Sequence, residues 1–216
     1  MSSGTAVSGA RVNRLVTSGT FSLDGGTWQV DNNVWLIGDD SRVLVIDAPH
    51  DADAVLTAVA GRECVAIVCT HAHDDHINAA VRLSALLSAP VLLHPADRAL
   101  WDRVHPHRPP DAELSDNQRL GVGGLELTVV HTPGHTPGSV CLYAPELGML
   151  FSGDTLFAGG PGATGRSFSD FPTIVGSIRT RLLTLPAATI VHPGHGADTT
   201  IGAESPDVQQ WLDRGH

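Results

Sequence analysis

The sequence predicts an α/β protein in which two β-sheets pack face to face with helices outside, organised as one domain over residues 1–216. Three observations predict it. Short apolar runs rich in β-branched residues recur along the chain, bounded by Gly, Pro or Asp. Helical patterns fall between some of them. The rhythm of the first half returns in the second, although the halves share too little sequence to be called a repeat.

Taken in order, "TWQV" (27–30), "NVWLIG" (33–38), "RVLVID" (42–47), "CVAIVC" (64–69) and "PVLLH" (90–94) read as strands. A second series follows: "LELTVVH" (125–131), "SVCLYA" (139–144), "GMLFSGD" (148–154) and "ATIVHPG" (188–194). Helical spacing falls at 52–60, 77–88, 172–184 and, more weakly, 206–213. No linker or low-complexity stretch divides the chain.

Composition narrows the function. The net charge of −10 argues against nucleic acid or an anionic membrane surface as a partner, since both need clustered cations. Every basic residue is arginine. Cys64, Cys69 and Cys141 have no zinc-finger spacing, and "CVAIVC" makes the first two small buried residues of a reducing compartment. "MSSGTAVSGARVNRLV" lacks the uninterrupted apolar core of a signal peptide, and no run approaches transmembrane length. A soluble cytoplasmic protein is therefore expected; the sequence leaves its oligomeric state open.

The unusual residue is histidine, at 12 residues, and its placement is regular. "RVLVID" ends in Asp47, "CVAIVC" runs into His71 and "LELTVVH" into His135; "GMLFSGD" ends in Asp154 and "ATIVHPG" runs into His195. Loops held by rigid strand ends are where binding groups are usually placed. In "THAHDDHINAA", His71 and His73 are two apart and share one side of an extended loop, while Asp75 and His76 follow at the turn into a helix. Imidazole and carboxylate donors without thiolate suit zinc first, with iron or manganese as alternatives. Taken alone, the run is also compatible with a polar helix-entry loop, Asp154 with a helix N-cap and Asp47 with a turn residue. Asp47 otherwise suits a hydrogen bond to a ligand histidine. The Pro-Gly turns of "HTPGHTPGS" and "VHPGHG" should raise His135 and His195, rather than His131 and His192, into a site mouth. His50, His94, His105, His107 and His216 read as surface or packing residues, and Asp74 should point away.

These four motifs, "THAHDDH", "HTPGHTPGS", "GDTLF" and "HPGHG", resemble in order those of the metallo-β-lactamase superfamily, and within it the short glyoxalase II-like hydrolases. The resemblance implies an αββα sandwich, two mixed sheets flanked by helices, with a dinuclear site at one edge. It implies that His71, His73 and His135 bind one metal, that Asp75, His76 and His195 bind a second, and that Asp154 bridges them. It further implies a hydrolase that uses a hydroxide shared by two divalent ions, with Asp75 holding it and passing a proton to the leaving group. A small-thiol thioester of the glutathione or mycothiol type is the expected substrate. The absence of lysine and the single tyrosine (Tyr143) favour the less anionic carrier. The loop "FAGGPGATGRSFSDFP" (157–172) is the candidate specificity element, with Arg166 as its cation and Phe168 and Phe171 as apolar walls; its other reading is a flexible surface connection. Persulfide dioxygenases, with one iron on two histidines and the aspartate, resemble the same motifs, and a lactonase is the hydrolytic alternative. A non-catalytic metal scaffold is the remaining class.

Overall fold

A computed structural model describes residues 9–215. The first sheet has the order β1 (Arg11–Leu23), β2 (Gly26–Gly38), β3 (Arg42–Ile46), β4 (Glu63–Val68), β5 (Val91–Leu93) and β6 (Ala112–Glu113). Its first three strands run antiparallel and its last three continue parallel to β3. Six more strands enter the second sheet: β7 (Arg119–Val122), β8 (Leu125–His131), β9 (Val140–Ala144), β10 (Met149–Gly153), β13 (Ile190–Pro193) and β14 (Thr199–Thr200). Their order is β14-β13-β10-β9-β8-β7, with β10 and β13 parallel and the other pairs antiparallel. Two short strands, β11 (Leu156–Phe157) and β12 (Gly160–Pro161), form a separate ribbon.

Strand alternation builds the layers. In β2, Trp35 and Ile37 enter the core between the sheets, where they meet Leu127, Val129, Leu142 and Phe151. Val34 and Leu36 face the other way, into a core closed by α1 (Ala52–Val59), α3 (Ala80–Leu87) and α4 (Arg98–Val104). On the second sheet Cys141, Leu150 and Val191 face outward against α5 (Phe171–Ser177), the π-helical turn Ile178–Leu182 and α7 (Val208–Arg214). The result is the expected pair of mixed sheets flanked by helices. All three cysteines are free and buried. Among the described residues, no helix is long and apolar enough to cross a membrane.

Several elements differ from expectation. "TWQV" and "NVWLIG" are one continuous strand, because β1, which the sequence did not announce, pairs with all of β2 from Arg11↔Gly38 to Leu23↔Gly26. The helix expected at 77–88 breaks at Asn78 and Ala79 into a single turn, α2 (Asp74–Ile77), followed by α3. The break lets α2 start directly on the histidine loop. A last short helix, α6 (Ile201–Glu204), follows β14.

Candidate metal centre

Five strand ends converge at one edge of the sandwich. Asp47 follows β3, His71 and His73 lie on the loop after β4, Asp75 and His76 lie in α2, His135 lies on the loop after β8, Asp154 follows β10, and His195 follows β13. Two glycines let the strand ends meet. A Cβ on Gly194 would lie 2.4 Å from Asp154 Oδ1 and 2.7 Å from His76 Cε1. Gly153 takes φ +49°, and a Cβ there would strike Thr70 Oγ1 at 2.6 Å.

The donor atoms fall into two adjoining groups, joined by a third set of His71, His76 and Asp154. In the first, His73 Nδ1 lies 3.1 Å from His71 Nε2 and 3.0 Å from His135 Nε2. In the second, His76 Nε2 and His195 Nε2 are 3.2 Å apart, and Asp75 Oδ2 lies 3.6 and 3.3 Å from them. Asp154 reaches both groups: Oδ2 is 3.7 Å from His135 Nε2 and 3.4 Å from His195 Nε2, while Oδ1 is 3.5 Å from His76 Nε2. Four donors held about 2.0–2.1 Å from a zinc ion stand roughly 3.3 Å from one another, so these spacings fit the edges of coordination tetrahedra. Asp75 Oδ1 and Asp154 Oδ1 are buried carboxylate oxygens without a hydrogen-bond partner, and for Asp154 Oδ1, beside His76, a cation would supply the missing partner.

Neighbours fix the ring orientations. Asp47 accepts from the backbone N–H and hydroxyl of Thr70 (2.7 and 2.9 Å) and lies 2.9 Å from His76 Nδ1. Thr70 Oγ1 in turn meets His71 Nδ1 at 3.1 Å. His135 and His195 direct Nδ1 to the carbonyls of Ala163 (2.9 Å) and Asp31 (2.8 Å). With Nδ1 so engaged, each of these rings turns Nε2 toward the donor groups.

The groups differ electrically. Burial pushes the His71 and His135 imidazoles below their usual value, and burial with the neighbouring His135 pushes His73 down to about 3. The first group is therefore three neutral rings. Burial works against charge on His195 too, yet Asp154 and Asp75 hold it up at about 10; Asp154, Asp75 and Asp47 likewise overcome burial to raise His76. Burial opposes ionisation of Asp75, but His76 and the His195 and Asn32 hydrogen bonds hold its carboxyl at about 2. Asp154, against its burial, is held well below the usual carboxylate range by His195 and His76. A divalent cation in the second group would replace the protons on His76 and His195.

The other candidate histidines lie outside these groups. His131 Nε2 contacts the Pro137 carbonyl at 2.9 Å and the ring stacks on His94, while His192 is packed against Trp35 and Phe151. Asp74 accepts from the Ser22 backbone N–H. A cavity of about 280 Å³ opens over the donors, and its walls are Phe21, Trp28, Val30, Phe157 and Ala163, with Arg166 at the side. The Arg166 guanidinium sits 3.8 Å above the Trp28 ring. The expected walls Phe168 and Phe171 are not part of it: Phe168 turns under the Arg103 guanidinium and Phe171 opens α5 against the outer core. The aromatic walls are instead Phe21 and Trp28 of the β1–β2 hairpin and Phe157 of β11.

Three residues with a place here carried no signal in the sequence. Asp97, fully buried, accepts from Ala72 N (2.9 Å), Thr136 Oγ1 (2.7 Å) and Gly138 N (2.6 Å), tying the "HAHDDH" loop to the "HTPGHTPGS" loop. Asn32, also fully buried, donates to Asp75 Oδ2 at 3.0 Å. His50, read from the sequence as surface or packing, meets Asn32 Oδ1 at 2.9 Å.

An αββα sandwich carrying paired histidine–aspartate donor groups on its strand ends defines a metal-dependent hydrolase fold and site. The chain belongs to the metallo-β-lactamase superfamily, whose sequence profile matches residues 27–195. It is 31% identical to "Probable metallo-hydrolase YqgX" of Bacillus subtilis over 189 residues, 81% of this chain and 90% of that one. It is 36% identical to a hydroxyacylglutathione hydrolase of Aeromonas hydrophila over 173 residues, 76% of this chain but 61% of that enzyme. Among solved structures it is similar to TTHA1623 in a di-iron-bound form, with TM-score 0.71, 36% identity and coverage of 82% and 93% of the two chains. It is likewise similar to the B3 metallo-β-lactamase BLEG-1, with TM-score 0.75, 32% identity and coverage of 88% and 97%.

Proposed function

We propose that this protein is a dinuclear metal hydrolase that cleaves the thioester of a small thiol in a reducing, cytoplasmic setting. The observation that carries the reading is Asp154, whose carboxylate reaches both donor groups and keeps one buried oxygen without a hydrogen-bond partner. His71, His73 and His135 would hold one ion and Asp75, His76 and His195 the other, with Asp154 shared. Zinc is the favoured metal, and the di-iron form of a structural neighbour makes iron the first alternative. Divalent ions held there would lower the pKa of a water and polarise the attacked carbonyl.

The chain's own groups supply the rest. Asp75 Oδ2 is engaged by Asn32, so Oδ1 is the oxygen able to take the proton of the attacking water and deliver it to the leaving group. A thiolate, with a pKa near 8.5, leaves with little help from an acid; an amine does not. Phe21, Trp28, Val30 and Phe157 exclude water from the reacting carbonyl, and Arg166, braced on Trp28, is placed to meet an anionic group of the thiol carrier. The hydroxyacylglutathione hydrolase relationship supports the thioester, and the small cavity supports a small acyl group.

The test is one panel on one preparation. S-acyl conjugates of glutathione, mycothiol and coenzyme A are assayed beside a lactone and a β-lactam, with metal content measured on the same sample. Thioester turnover with about two metals per chain is expected. Turnover of lactone or β-lactam with silent thioesters rejects the substrate class. One iron per chain with oxygen uptake on a persulfide rejects hydrolysis.

A further inference from the structure

Four polar side chains, from Asn78 to Asp75, form a one-way hydrogen-bond chain whose direction is set from its far end. The backbone N–H of His50 donates to Asn78 Oδ1 at 2.6 Å, which fixes the Asn78 amide. Its Nδ2 then faces His50 Nδ1 at 3.2 Å, so that ring nitrogen must accept and the ring proton resides on Nε2. His50 Nε2–H donates to Asn32 Oδ1 at 2.9 Å, which in turn fixes the Asn32 amide. Asn32 therefore presents N–H, not a lone pair, to the second donor group: Nδ2 lies 3.0 Å from Asp75 Oδ2, 3.3 Å from His76 Nε2 and 3.4 Å from His195 Nε2.

The fold makes room for this chain at some cost. His50 adopts φ +57°, a left-handed conformation unfavourable for a residue with a Cβ. Its ring lies over Gly19 of β1, where a Cβ would come within 2.2 Å of His50 Nδ1, so no other residue fits under it. Asn32 is wholly buried, and an amide in that position with its donors turned the wrong way would leave polar atoms unpaired.

We propose that Asn32, aimed by His50 and Asn78, is a positioning residue that locks the roll of the Asp75 carboxylate. It commits Oδ2 to the second donor group and leaves Oδ1 to handle the proton. The inference rests on the dinuclear reading above. Because Asn32 offers only N–H groups, it is not itself a metal ligand. It acts on the second ion through Asp75, as the outer partners of ligands generally do.

Cobalt(II) titration of the metal-stripped full-length protein, followed by visible absorption, reads the two sites without any substrate. His50→Ala leaves the Asn32 amide free to turn, and the second cobalt equivalent should bind about 10–100-fold more weakly while the first is unchanged. His50→Gln, whose amide nitrogen can replace Nε2–H, should restore the second equivalent to within a few-fold of the unmodified protein. Asn32→Asp, which cannot donate to Asp75 Oδ2, should likewise weaken the second equivalent and, at saturating cobalt, lower kcat on the proposed thioester about 10–100-fold at unchanged KM. Equal weakening of both equivalents in His50→Ala, or no recovery in His50→Gln, would mean general loosening and overturn the positioning role. So would an unmodified cobalt titration in His50→Ala, or full kcat in Asn32→Asp. If the unmodified protein takes up a single equivalent, the dinuclear reading fails and this inference fails with it. If it takes up two and hydrolyses no thioester, the substrate reading alone fails and the cobalt comparison still decides.

Discussion

Asp97 touches none of the donor atoms, yet its removal should be among the most damaging single changes in the protein. Its carboxylate is wholly buried and receives three donors: Ala72 N and Thr136 Oγ1 at Oδ2, and Gly138 N at Oδ1. Ala72 separates His71 from His73, and Thr136 follows His135, so one side chain holds both loops of the first donor group. Asp97→Ala strands two buried backbone N–H groups at about 1–3 kcal/mol each, or about 4 kcal/mol together. For a chain of this size that corresponds to a melting temperature roughly 8–16 °C lower. Asp97→Asn can keep its oxygen toward Ala72 and Thr136 but turns an NH₂ toward the Gly138 N–H. One mispaired donor then costs about 2 kcal/mol, or roughly 4–8 °C. Thermal unfolding in chelator measures both, since it removes any contribution from bound metal. The first cobalt equivalent should weaken in the same order, Ala more than Asn. An Asp97→Ala protein melting within a degree of the parent, with the first equivalent intact, would refute the argument that this carboxylate holds the two loops together.

Three further outcomes follow from the same geometry. Asp154→Ala should lower kcat beyond the roughly 10–100-fold typical of an outer-partner mutation and release metal, whereas His131→Ala and His192→Ala should retain metal; metal loss from His131→Ala but not from His135→Ala would reverse the assignment. In metal-stripped protein, His195 is raised from 6.5 to about 10, so its stabilisation is complete below pH 6.5 and is lost as pH climbs through 10. His73, lowered from 6.5 to about 3, does the opposite: its contribution is present above pH 6.5 and is lost as pH falls toward 3. Denaturation of the chelated protein should therefore show greatest stability near pH 6.5, and a monotonic profile from pH 4 to 10 would contradict the charge assignment. Arg166→Ala removes the cation braced on Trp28 and should raise KM for an anionic thiol carrier about tenfold with little change in kcat; an unchanged substrate profile would remove Arg166 from recognition.

How much of this was legible in the sequence depended on how locally each feature is encoded. The central strands announced themselves because both of their faces are buried, so a run of adjacent apolar residues records them; Trp35 and Ile37 face one core and Val34 and Leu36 the other. The histidines and aspartates at strand ends were visible for the same reason, since a strand delivers the residue after its last apolar position to a fixed edge. Their partners were not. Asp97 meets Thr136 across 39 residues and Asn32 meets Asp75 across 43, and nothing near either residue records that meeting. β1 went unannounced for a different reason. In β2 the burial pattern changes from mostly exposed over Gly26–Asp31 to buried over Asn32–Gly38, so half of the β1–β2 ribbon projects beyond the sandwich with no layer covering it. A ribbon without a covering layer has no core to impose a run of apolar residues, so β1 with Phe21 left no signal, and the outer half of β2 registered only as the short strand "TWQV" that carries Trp28 and Val30. The loop 157–172 drew attention because its glycines, arginine and phenylalanines were contiguous, yet only Arg166 of the three side chains expected to contact substrate lines the cavity. The chemistry of this site is thus written in short motifs, whereas its walls are shared between the β1–β2 ribbon, with Phe21, Trp28 and Val30, and the loop 157–172, with Phe157, Ala163 and Arg166. Relatives with the same donor residues can therefore differ in substrate through this hairpin, and exchanging residues 21–30 between two of them should shift preference for the acyl group while leaving metal content and the Arg166 contribution to the thiol carrier untouched.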